Sequence, residues 1–239
     1  MGRIPRSGFM RAKPCTTKGR GAVGFAFLEL ALVLFVLGTV FIMTLKGAAL
    51  VETMRAFMVS YQFEHFQNRV MVYQTEYNML PGDDPDGPRR YQRDRAMFIQ
   101  FGASVSEAGN GQIDGVMWDV ASANGEPFMA WRDLRYAGLV EGDPLVPGLS
   151  SMPENPFGGV YGFDEGNLGQ SSGSLCTTRI PGRAAQMIDD RMDDGIINRG
   201  KVVATSRYDA VEAKNHFDAP DFEPYDFEKE YIICAPILP

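Results

Sequence analysis

Gly24-Phe25-Ala26-Phe27-Leu28-Glu29 opens an apolar run that continues to Leu45, and Glu29 is the only charge between Phe25 and Leu45. A carboxylate inside a membrane-length apolar helix costs roughly 2.5–3.5 kcal/mol on insertion scales, so it calls for a partner. The 21 residues from Phe25 to Leu45 would span about 31 Å as a helix, close to the hydrocarbon thickness of a bilayer. The stretch therefore predicts a transmembrane helix over 25–45.

The flanks sharpen this reading. Residues 1–24 carry Arg3, Arg6, Arg11, Lys13, Lys18 and Arg20 and no acidic residue. A basic tip before an apolar segment places the N-terminus in the cytoplasm. After Gly24 there remain 17 basic against 30 acidic residues, a net charge of −13 within a whole-chain total of −7. That acidity speaks against nucleic acid as a partner, because phosphate binding needs a basic face. Gly24 is the best small-residue cleavage position, and a cut there keeps the apolar run in the mature chain, unlike an ordinary secretory signal.

Beyond Lys46 the pattern turns amphipathic. Phe63, Phe66, Val70, Tyr73, Tyr77 and Leu80 recur at spacings of three and four, a helical stripe. No proline falls between Phe25 and Leu80, and Pro81-Gly82 then stops the helix. The expected result is one helix over residues 25–80, about 80 Å long. Its second half packs on a globular head formed by residues 81–239.

The head reads as short helices, short strands and long loops. Tyr91 to Phe101 is a short helix candidate. Glu126–Tyr136 predicts a helix with Phe128, Trp131 and Leu134 on one side and Gly138 as its stop. Ile180-Pro181-Gly182 opens another, with Ala184, Ile188 and Met192 sharing a face, ending in Asp193-Asp194-Gly195. Strands are expected at Val160–Phe163, Val202–Thr205 and Tyr231–Cys234, and residues 142–175 read otherwise as loop. The predicted fold class is α+β: a long N-terminal helix, transmembrane in its first half, packed against a small antiparallel-sheet head.

Catalytic chemistry is thin. His65 and His216 have no local partner pattern, and no nucleophile elbow, phosphate loop or zinc spacing occurs. Asp83, Asp84 and Asp86 form one acidic cluster and Asp189, Asp190, Asp193 and Asp194 another; hard oxygen ligands of this kind suit Ca²⁺. The competing reading is that they are turn and cap aspartates. Gly109-Asn110-Gly111-Gln112-Ile113-Asp114-Gly115 faintly echoes a calcium loop but lacks its spacing, and reads as a structural turn. Of the three cysteines, Cys15 lies in the leader, which leaves Cys176 and Cys234 as a pair. A disulfide between them would close a loop of about 58 residues and contribute roughly 4 kcal/mol by chain entropy; two buried free thiols are the alternative.

The basic leader, Gly24, Phe25, Glu29 and the retained apolar helix together resemble the class III signal of type IV pilins and type II secretion pseudopilins. The head resembles prepilin-like proteins more loosely, through Leu80-Pro81-Gly82-Asp83, Gly109-Asn110-Gly111 and the Trp131…Gly138 pattern. The resemblance implies cleavage between Gly24 and Phe25 by prepilin peptidase and N-methylation of Phe25. It implies a chain that is not an enzyme, and Glu29 matched in assembly to the free N-terminus of a neighbouring subunit. The implied partners are further copies in a helical homopolymer, other pilins, the inner-membrane assembly platform and, before assembly, the lipid bilayer. The implied location is the inner membrane with a periplasmic head, then a pilus or periplasmic filament. Alternatives are a minor pilin or pseudopilin, and a membrane-tethered periplasmic binding domain or enzyme.

Overall fold

A proline-free sequence lets one helix run on, and α1 spans Ala22–Tyr77. The computed structural model describes residues 22–87, 109–117, 125–165, 173–206 and 224–238. The leader up to residue 21, the helix candidate Tyr91–Phe101 and His216 lie outside the described residues. The chain divides into two units, Met1–Ala49 and Leu50–Pro239.

In the first unit, the described side chains of α1 run without a break from Phe27 to Met43, and nearly all of them are exposed. The expected transmembrane first half is corrected here: among the described residues no helix is long and apolar enough to cross a membrane. The apolar run also carries a carboxylate, Glu29, which is costly in lipid.

The second unit contains the head. Its part of α1 buries Ala56, Val59, Phe63, Phe66, Val70 and Tyr73, which extends the predicted stripe about two turns toward the N-terminus. The helix ends earlier than Pro81-Gly82 suggests. Asn78 takes a left-handed conformation (φ 56°) and its N–H donates to the Gln74 carbonyl at 2.8 Å. Asparagine tolerates that geometry better than most residues, so it closes the helix.

Helix α2 occupies Glu126–Tyr136, the residues expected of it, and buries Phe128, Trp131 and Leu134. Its end is a Schellman motif: Gly138 N–H donates to Arg135 O at 2.9 Å and Leu139 N–H to Leu134 O at 2.9 Å. A 3₁₀ turn follows at Gly148–Ser151. Helix α3 spans Gly182–Met192 and buries Ala184 and Ile188.

Four strands complete the unit: β1 Tyr161–Asp164, β2 Ser174–Pro181, β3 Val203–Thr205 and β4 Glu230–Pro236. They form one antiparallel sheet in the order β1-β2-β4-β3. The inner strand β2 escapes sequence reading because Ser174, Thr177 and Thr178 give it the look of a loop. In place, Thr177 is fully buried, and its hydroxyl accepts from Asn155 Nδ2 at 2.8 Å. A buried hydroxyl is tolerated when it is hydrogen-bonded.

Aromatic rings join α1 to the sheet and α2. Phe66 meets Trp131 edge-on with centroids 5.0 Å apart and Tyr161 at 5.2 Å, while Phe63 meets Tyr161 at 5.7 Å. Trp131 continues the contact to Phe163 at 4.7 Å. Such pairs contribute about 0.5–1.5 kcal/mol each beyond their buried area.

Cys176 and Cys234 face each other across β2 and β4 and form a disulfide with a sequence separation of 58. Replacing both by Ala is expected to lower stability by roughly 2–4 kcal/mol. The urea unfolding midpoint of the double variant against the oxidised wild type measures this; an unchanged midpoint would contradict it.

Candidate functional site

Two regions stand out in the sequence, one in each unit. The first is the start of α1. Gly24 and Phe25 lie in the helical backbone, and Glu29 is exposed among apolar neighbours. Thirteen large apolar side chains between Phe27 and Met43 are 47–77% exposed. Scattered exposed hydrophobics are ordinary, whereas a continuous apolar surface of this kind marks an interaction site.

The second region is the pair of acidic clusters. Asp83 is fully buried. Its carboxylate accepts the backbone N–H groups of Gly109, of Asn110 at 3.1 Å and of Gly111 at 2.7 Å. The glycine-rich segment with a calcium-loop echo is therefore a turn folded around one carboxylate. Asp84 accepts from the Tyr73 hydroxyl at 2.8 Å and from the Asp86 N–H at 2.9 Å. Asp133, on α2, accepts the Gly82 N–H at 2.8 Å. Gly82 has φ +89°, and a Cβ there would collide with the Glu126 carbonyl, so this close approach requires glycine. These carboxylates fasten loops to helices.

The other cluster is different. Asp189, Asp193 and Asp194 each offer one carboxylate oxygen, and these oxygens lie within 4.8 Å of one another. No other group of three acidic, histidine or cysteine side chains meets that geometry among the described residues. Asp83, Asp84 and Asp86 are not brought together in this way. Asp190, the fourth predicted member, instead lines a groove with Phe57, Met187 and Arg191. That groove has a volume of about 240 Å³, below the 300–1,000 Å³ of typical small-molecule sites.

Within the trio, Asp193 accepts the N–H of Lys201 and of Val202 at 3.0 Å. Asp194 accepts the Ile196 N–H at 3.0 Å and lies 3.7 Å from Arg199. Asp189 is fully buried, and its Oδ2 accepts from the Tyr225 hydroxyl at 2.7 Å. Its Oδ1 is buried with no hydrogen-bond partner. Like charges at such a separation repel by roughly 3 kcal/mol per pair at an effective dielectric constant near 20. Burial first pushes the Asp189 carboxyl up to about 6; the Tyr225 hydroxyl and the nearby Gly195 N–H oppose this, and the charges of Asp193 and Asp194 add to it. Burial, then Asp189 itself, keep the Tyr225 phenol protonated. Tyr225 follows an acidic segment, and nothing in its sequence context marks it as a partner for Asp189.

No catalytic set emerges among the described residues. His65 sits against Tyr61 and Phe66, with centroids at 6.3 and 5.7 Å, as a packing residue of α1. Comparison with protein-family models, curated proteins and solved structures finds no match.

The Asp189 carboxyl has a testable pH signature in the metal-free protein. Its folded value of about 6 lies above the ordinary 3.8, so the folded state holds a proton that the unfolded state releases between those values. Stability from this group is therefore present below about pH 4 and lost as pH rises through 6. The difference in urea midpoint between wild type and Asp189→Asn, measured in EGTA from pH 4 to 7, should fall with pH across this window. A flat difference would contradict the assignment.

Proposed function

We propose that the chain is a prepilin-type subunit of a helical filament, assembled through the start of α1. The observation that carries this reading is the exposed apolar surface from Phe27 to Met43 with the single carboxylate Glu29 near its beginning. Covering these side chains contributes on the order of 10–20 kcal/mol, against an association cost of roughly 4–15 kcal/mol. Apolar on all sides, the segment favours neighbours all round, as the core of a helical stack provides. A self-association that repeats without closing produces a fibre.

Cleavage after Gly24 creates a free α-amine on Phe25, four residues before Glu29. In a stack of copies, the carboxylate of one subunit meets the N-terminus of another. Each group alone is costly to bury; together they set the axial register. The Cys176–Cys234 disulfide supports an oxidising location for the head, periplasmic or on the cell surface.

Mass spectrometry of the protein from its native host should find a mature chain beginning at Phe25 with one added methyl group. Glu29→Leu should abolish filaments seen by electron microscopy while leaving the thermal midpoint of the head unchanged. Retention of residues 1–24, or normal filaments from Glu29→Leu, would sink the reading.

A further inference from the structure

The Asp189, Asp193 and Asp194 trio has no part in filament assembly as proposed above, and its argument is independent of that reading. Three acidic oxygens lie within 4.8 Å of one another. One member, Asp189, is fully buried at the last turn of α3, and its Oδ1 has no hydrogen-bond partner. A buried polar atom without a partner is rare and points to a missing ion or water. The remaining charge at the corner is incomplete compensation. Arg199 approaches Asp194 only at 3.7 Å, and both side chains meet solvent. The Tyr225 hydroxyl serves the other oxygen of Asp189.

We infer that Asp189, Asp193 and Asp194 form a binding site for a divalent cation of the hard, oxygen-preferring class, with Ca²⁺ as its best-fitting member. The donor set consists of oxygen alone, which excludes the sulfur and imidazole ligation that favours zinc. Two ligands come from a loop that leaves the end of α3, and such a frame suits the variable ligand number of Ca²⁺ better than the strict octahedron of Mg²⁺. A cation there would bridge the end of α3 to the segment entering β3, because Asp193 also holds the N–H groups of Lys201 and Val202. Its consequence is a head whose α3–β3 connection tightens when the ion is present.

Calorimetric titration of the full chain, kept in solution with a mild detergent, tests the site with calcium chloride as the probe. The expected result is one Ca²⁺ per chain with Kd about 10⁻⁴–10⁻³ M, the range of extracellular calcium modules. The thermal midpoint should rise in Ca²⁺ relative to EGTA, and rise less in Mg²⁺. Asp194→Asn keeps an oxygen for the Ile196 N–H yet removes one ligand charge; it should weaken Ca²⁺ binding at least about tenfold. The same variant should have a metal-free midpoint equal to or above that of wild type, because a like-charge repulsion is gone. Asp86→Asn, in the other acidic cluster, should bind as wild type does. No heat and no midpoint shift at about 10 mM Ca²⁺, tenfold above the weakest Kd in that range, would overturn the site. So would undiminished binding by both Asp193→Asn and Asp194→Asn. A failure of filament assembly would leave these outcomes unaffected.

Discussion

The packing of Phe63 and Phe66 on Tyr161 and Trp131 is the contact on which the head depends. These rings belong to α1, β1 and α2, and each of the four is buried. The Tyr161 ring receives both Phe63 and Phe66, and its hydroxyl donates to Gln62 Oε1 at 2.7 Å. A sheet of four short strands has one face to cover and cannot do so by itself. The amphipathic part of α1 supplies that cover, and Gln67 adds a polar tie to the last strand through the Pro236 carbonyl at 2.6 Å.

Around this core, carboxylates organise the loops. Asp83 gathers three consecutive N–H groups of the glycine-rich turn. Asp133 holds Gly82, Asp164 holds the Met117 N–H at 3.1 Å, and Glu126 holds the Asp114 N–H at 2.8 Å. A charged acceptor receiving backbone donors forms stronger hydrogen bonds than neutral pairs do, which suits a fold with little regular structure between its elements. The acidity of the chain is thus partly structural. The trio at the end of α3 stands apart because its charges converge on one another as well as on amides, and one buried oxygen is left over.

The apolar start of α1 poses the opposite problem. Its side chains are exposed where the head's are covered, and the single acid there has no counterpart within its own unit among the described residues. Assembly through this surface would answer both needs at once, by burying the apolar area and by bringing a charge to Glu29. The fold of the head and the chemistry of this segment make separate demands: the head needs ring packing and satisfied amides, and the segment needs neighbours.

Periodicity alone determined much of this protein. The stripe from Phe63 to Leu80 identified the packed face of α1, and Phe128, Trp131, Leu134 and Gly138 marked α2 and its stop, because a helix writes its buried side into spacing. The acid-free basic tip and the apolar run after Gly24 are likewise plain in the sequence. A membrane span read from the same apolar run did not follow, since the described helix lacks the required apolar length. Tertiary structure alone decided which acids cluster. Asp83 and Asp189 look alike in sequence, both in glycine-flanked acidic runs, yet one meets the amides of a distant loop and the other meets Asp193, Asp194 and Tyr225. Strand β2 was hidden for the same reason: its Thr177 hydroxyl reads as loop until Asn155, 22 residues away in sequence, satisfies it in the core. Spacing reports a residue's own helix or strand, whereas the partners that give a buried polar group its role arrive from elsewhere in the chain.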